Sequence, residues 1–171
     1  MSAIKPGVRV KFESEALEVR LRDIADAAKY KGFAGVMPSD AAKTYANGET
    51  VGDVARWTEH GGPGRPARPF MRRARRESMP RAKKAMIAKA EQFALGKATQ
   101  AEVVGAAVAE VARNLAYQIN TARQWAAPLA DSTIRKKGGN TPLSDTHLLL
   151  DSQSWEVRKG STVVGHGRPA K

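Results

Sequence analysis

The chain has 171 residues, 42% hydrophobic and 6% aromatic, enough for one ordinary domain whose core holds few rings. Lys and Arg number 29 against 17 Asp and Glu, a formal net charge of +12 that favours a partner of opposite sign: nucleic acid, an anionic membrane or an acidic protein surface. The absence of cysteine excludes disulfide scaffolds, thiolate metal sites and cysteine nucleophiles.

No early apolar run resembles a signal peptide, and no later stretch approaches the roughly 20 apolar residues that span a bilayer, so the expectation is folding in a reducing cytoplasm. Residues 7–12 alternate Val8, Val10 and Phe12 with Arg9 and Lys11, the period of a half-buried strand. Ser14 then caps an expected helix carrying Leu17, Leu21, Ile24 and Ala28 on one face, stopped by Gly32 after Tyr30 or Lys31. Residues 33–37 form an apolar run closed by Pro38, a second strand. A polar connection over 40–50 has its turn at Asn47-Gly48, and Val51–His60 carries the spacing of a two- to three-turn helix that Gly61 and Gly62 end.

The most unusual stretch is 54–76, VARWTEHGGPGRPARPFMRRARR. Its glycines at 61, 62 and 64 and prolines at 63, 66 and 69 predict an irregular, extended loop that presents Arg65 and Arg68. Phe70, Met71 and Ala74 begin a helical turn with Arg72, Arg73, Arg75 and Arg76 outward, and Pro80 is expected to kink the helix sharply or restart it. The apolar face continues through Ala82, Met86, Ala90 and Phe93 to a stop at Gly96. Thr99 and Glu102 make a capping box, behind which Val104, Val108, Val111, Leu115, Ile119, Ala122 and Trp125 predict one long helix to about residue 127, paired with its predecessor as a helical hairpin. Residues 129–146 read as an irregular basic loop. Order resumes at 148–151, strand alternation follows at 155–158 with a partner at 162–165 across Lys159-Gly160, and 167–171 is expected to be a poorly ordered basic tail.

The sequence offers little catalytic chemistry. His60, His147 and His166 stand in no metal spacing, and no nucleophile motif accompanies Glu59-His60, whose adjacent side chains do not share a helix face. The glycines of 61–64 lack the GK[ST] of a phosphate loop, and Pro63 removes a backbone donor. Neither a catalytic group nor a cofactor or metal site is expected. The arginines from 65 to 81 fit phosphates or the carboxylates of a protein neighbour, and the residues alone leave both open.

Two segments carry a resemblance. "VARWTEHGG…RPARPFMRRA", through Trp57, Glu59, Gly61, Pro66, Ala67, Arg68, Pro69 and Phe70, resembles the tail-completion or neck proteins of tailed bacteriophages, including the virion-morphogenesis family of Mu-like phages. "WAAPLADSTIRKKGGNTPLSDTHLLL", through Pro128, Leu129, Thr133, Lys136 or Lys137, Pro142, Leu143, Asp145, Thr146 and Leu148 or Leu149, is similar to a later segment of that family, with His147 where a glycine is expected. The resemblance covers about residues 33–158. It implies an α+β fold, a small antiparallel sheet packed against helices, as a single domain over 1–158 with a strand and basic tail over 159–171.

The resemblance further implies a non-enzymatic structural protein of the virion, assembled in the bacterial host cytoplasm as a ring, usually of six copies, around the DNA channel at the head–tail junction. The implied partners are further copies of the chain, head–tail connector or stopper proteins, the tail tube protein and, nonspecifically, packaged DNA; no membrane is implied. Contacts between subunits or stacked rings then fall to Trp57, Arg65, Arg68, Pro69, Phe70, Leu129, Thr133, Lys136, Leu143 and Asp145. Contacts with DNA or an acidic partner fall to Arg72, Arg73, Arg75, Arg76 and Lys137. The rival expectation is a nonspecific nucleic-acid-binding protein using the arginines of 65–81.

Overall fold

A computed structural model describes Val19, Arg22 and residues 26–62, 64–143 and 147–169, without the side chains of 136 and 137. The strand expected over 7–12 and most of the helix expected after Ser14 lie outside these residues. A 3₁₀ turn, Ala27–Lys29, leads into β1 (Tyr30–Val36), followed by α1 (Pro38–Ala41), α2 (Val51–His60), α3 (Phe70–Ala94) and α4 (Gln100–Asn120). The short helices α5 (Ala122–Trp125), α6 (Asp131–Lys137) and α7 (Leu148–Asp151) precede β2 (Gln153–Lys159) and β3 (Thr162–Gly167). The fold is α+β: α3 and α4 pack as a hairpin, and α4 lies across an antiparallel sheet ordered β1-β2-β3.

The hairpin rests on local chemistry legible in the chain. Gly96, with φ at 72°, closes α3 in a Schellman arrangement: Gly96 N–H donates to the Phe93 carbonyl at 2.9 Å and Lys97 N–H to the Gln92 carbonyl at 2.8 Å. Thr99 and Glu102 form the expected capping box at the start of α4. Pro80, however, neither ends nor restarts a helix, because α3 runs unbroken from Phe70 to Ala94. Pro80 lies on the exposed side, while Phe70, Ala74, Ser78 and Ala82 at four-residue spacing are buried. Packing of that stripe against α4 outweighs the local cost of the proline, about 3 kcal/mol. The second long helix ends at Asn120, not near 127: Thr121 breaks the run, its hydroxyl donating to the Tyr117 carbonyl, before the single turn of α5.

Three further expectations change. The chain is already a strand at Tyr30, so Gly32 lies inside β1 and stops no helix. A Cβ at Gly32 would stand 2.4 Å from Val108 Cγ1 and 2.8 Å from Val104 Cγ1, so the glycine is what lets α4 settle onto the strand. The basic loop of 129–146 contains α6, capped by Gly138 in the left-handed region at φ 68°. The expected loose tail is tied down at Arg168, which donates to both carboxylate oxygens of buried Asp40 at 3.1 and 3.3 Å. β3 itself pairs with β2 along its length, so residues 162–167 belong to the sheet.

Val51 and Ala55 from α2, Phe70 and Ala74 from α3, Leu115 and Ile119 from α4, and Leu149 from α7 form the core cluster. Phe70 is the only ring among them, and fully burying such a side chain stabilises by about 1.5–3 kcal/mol. Among the described residues no helix is long and apolar enough to cross a membrane.

A candidate docking cleft

Helix α2 organises the site because its faces serve different neighbours. Thr50 caps it by accepting from Asp53 N–H at 3.1 Å, with Val51 and Ala55 directed into the core. Gly61, at φ 80°, turns the chain out of the helix, and the loop then folds back on α2 instead of extending away. Gly62 and Arg65 exchange backbone hydrogen bonds at 2.9 and 3.0 Å, and Arg68 N–H donates to the Thr58 carbonyl at 2.7 Å. The extended presentation expected for Arg65 and Arg68 is thereby replaced by a closed turn.

Each loop arginine has a partner within the chain. Arg65 Nη2 donates to Glu49 Oε1 at 2.9 Å, and its guanidinium lies 5.0 Å from the centroid of the Trp57 ring. The Arg65 hydrogen bond holds the Glu49 carboxyl below its ordinary value. Arg68 Nε and Nη2 donate to the carbonyls of Ala127 and Pro128 at 2.9 and 3.0 Å, tying the loop to the segment after α5. Burial pushes the Arg68 guanidinium below its ordinary value, and it remains a cation at neutral pH.

Pro69 occupies the N-cap of α3 and has no side-chain acceptor to offer the free N–H groups there. Glu59, 4% exposed, supplies one from α2. Its Oε2 accepts from Met71 N–H at 2.8 Å, and its Oε1 accepts from Arg72 N–H at 3.1 Å and from Arg72 Nε at 2.9 Å. The Glu59 main-chain carbonyl accepts Arg72 Nη2 at 2.9 Å. Sequence reasoning set Glu59 aside with His60 and missed this role. The signal was the proline at an expected helix start, which leaves capping to a residue elsewhere.

The arginine block divides. Arg72 belongs to the Glu59 cap. Arg73 lies between helices, with Nε donating to Gln118 Oε1 at 2.7 Å, Nη2 3.0 Å from Glu77 Oε1, and its guanidinium 5.2 Å from the Trp125 centroid. Gln118 in turn donates to Glu77 and Asn114, and Trp125 donates its indole N–H to the Gln118 carbonyl. Arg75 and Arg76 are exposed and, among the described residues, form no ion pair.

A cleft of about 810 Å³ opens between the turn at 45–49, α2, the proline loop, the start of α6, Leu143 and residues 147–149. Trp57, Arg65, Arg68, Leu129, Thr133 and Leu143 line it, which brings together most of the residues expected at subunit contacts. Pro69 stands at the entry to α3, and Phe70, fully buried in the core, presents nothing outward. Asp145 and the side chains of Lys136 and Lys137 lie outside the described residues. Tyr45, Glu49 and His147 also line the cleft and were not anticipated. Leu143 and His147 hold φ at 62° and 58°, the left-handed region that costs non-glycine residues of order 1–3 kcal/mol. The cleft combines an indole and four leucines with guanidinium groups, a surface suited to an apolar segment bearing carboxylates. Among the described residues no group of three or more His, Cys, Asp or Glu is placed to hold a metal ion.

The chain matches no protein-family model, no curated protein and no solved structure.

Proposed function

We propose that the chain is a structural subunit of a tailed-phage head–tail junction, forming a ring around the DNA channel that completes the tail and joins its tube to the head connector. One juxtaposition carries this reading. The segments on which the phage resemblance rests are separated in sequence by the α3–α4 hairpin, yet they face each other as walls of one cleft, bound by Arg68 to the carbonyls of Ala127 and Pro128. In a ring, each subunit meets its neighbour through two different surfaces, so a cleft on one side receives a projecting segment of the next copy and the rotation closes. Part of the stability is then supplied by neighbours, which suits a core cluster with a single buried ring among the described residues.

Native mass spectrometry and electron microscopy of the purified protein, alone and with tail tube or connector protein, test the proposal. Rings are expected in at least one setting, weakened by Trp57→Ala with Leu129→Ala. A chain that stays monomeric in every setting and is absent from purified virions overturns it. The nucleic-acid alternative draws on the net charge and on exposed Arg75 and Arg76. Of the seven arginines of 65–81, Arg65, Arg68, Arg72 and Arg73 are already held within the chain, by Glu49, by the carbonyls of Ala127 and Pro128, by Glu59, and by Glu77 with Gln118.

A further inference from the structure

We infer that the outer face of α3, formed by Arg75, Arg76, Met79, Lys83, Met86 and Ile87, is a docking surface for an acidic protein partner with apolar side chains at its centre, distinct from the chain itself. Residues 76, 79, 83 and 86 follow each other at three- and four-residue steps and Ile87 lies four past Lys83, so they share one stripe of the helix, with Arg75 beside it. This stripe lies opposite the one that buries Phe70, Ala74, Ser78 and Ala82 against the rest of the fold. Its apolar members are open to solvent, at 51% for Met79, 41% for Met86 and 47% for Ile87.

Three solvent-exposed long apolar side chains in one stripe form a patch, which marks contact surfaces more often than scattered single residues do. Methionine in particular adapts to an irregular partner. Arg75, Arg76 and Lys83 flank the patch; of the two carboxylates on the helix, Glu77 is held by Arg73 and Gln118, and exposed Glu91 stands at the far end, four residues past Ile87. The face therefore calls for negative charge from outside. The same face of a second copy is a poor source, since it carries the same cations.

Nucleic acid is also a poor fit. A phosphate backbone gives nothing for Met79, Met86 and Ile87 to bury against, and the face carries no aromatic side chain for base stacking. The patch is smaller than the wide apolar face by which basic helices embed in a lipid surface. The inference stands apart from ring formation and is tested without it.

The full-length protein is titrated at about 0.15 M salt against three probes: a helical peptide with leucines on one face and glutamates on the other, a short duplex DNA, and vesicles of mixed phosphatidylglycerol and phosphatidylcholine. Two variants are compared, Arg75→Ala/Arg76→Ala/Lys83→Ala and Met79→Gln/Met86→Gln/Ile87→Gln, each checked for unchanged circular dichroism and thermal midpoint. The peptide is expected to bind the wild type, and each variant to weaken it by roughly tenfold or more. Three results overturn the inference: no peptide binding, peptide binding indifferent to the apolar variant, or tighter binding of DNA or vesicles that the cationic variant alone removes. Ring formation of both variants, followed by native mass spectrometry, reports separately on the assembly proposal.

Discussion

Glu59, the ninth residue of α2, caps the helix that Phe70 begins and holds Arg72 by both its carboxylate and its main-chain carbonyl. One buried carboxylate thereby ties the end of α2 to the start of α3.

Removing that carboxylate leaves the N–H groups of Met71 and Arg72 without their acceptor. Glu59→Ala is expected to lower stability by about 2–3 kcal/mol, from the lost cap and the desolvated donors. Arg72→Ala should cost less, about 1 kcal/mol or under, because its side chain is 65% exposed and its ion pair is screened by solvent. Urea unfolding of the two variants measures the difference, and equal costs contradict the capping account.

Arg68 holds the two walls of the cleft together through the carbonyls of Ala127 and Pro128. Arg68→Ala is expected to destabilise by about 1–3 kcal/mol and to speed hydrogen exchange across α6 while leaving the middle of α4 unchanged. Arg68→Lys restores part of the loss, since an ammonium cannot fork to two carbonyls. Equal exchange in wild type and Arg68→Ala contradicts the tie.

Because α3 is continuous through Pro80, alanine there returns a hydrogen bond to the Arg76 carbonyl and removes a clash with the preceding turn. Pro80→Ala is expected to stabilise the fold by about 1–2 kcal/mol, less than the full helical cost because proline also restricts the unfolded chain. A lower melting temperature for the alanine variant contradicts a helix that merely tolerates its proline.

The capping box gives a pH signature. Hydrogen bonds from the Thr99 backbone N–H and hydroxyl hold the Glu102 carboxyl below its ordinary value of 4.5. A carboxyl depressed in the folded state contributes stability that is complete above its unfolded value and disappears as pH falls through the lower folded value. The wild type is thus expected to exceed Glu102→Gln in urea midpoint by a constant margin near neutrality, a margin that closes below pH 4.5. A margin that persists into strong acid contradicts the assignment.

Features closed within a few residues were legible in the chain. The Asn47-Gly48 turn, the helix Val51–His60, the Gly96 stop, the Thr99–Glu102 box and the terminal strand pair each need only near neighbours. Phe70 and Arg68, expected at subunit contacts, are instead a core side chain and a group paired with the carbonyls of Ala127 and Pro128. Other features exceeded that reach. Gly32 was taken for a helix stop because nothing nearby shows Val104 and Val108 closing over it. α6 was read as loop because its composition is that of a turn.

The sequence by itself determined both ends of the helix Val51–His60, the start of α3 and its stop at Gly96, and the start of α4, that no cysteine chemistry exists, and that a strongly basic stretch follows a proline loop. The tertiary structure decided what that stretch does. Glu59 and Arg72 are separated by 13 residues, Arg73 and Gln118 by 45, Arg68 and Ala127 by 59, and Arg168 and Asp40 by 128. Caps and turns are satisfied within one turn of backbone, so residue type alone announces them. Whether an arginine is spent inside or left for a partner depends on which carboxylates, amides and carbonyls the packed helices bring within 3 Å, and no local pattern encodes that distance.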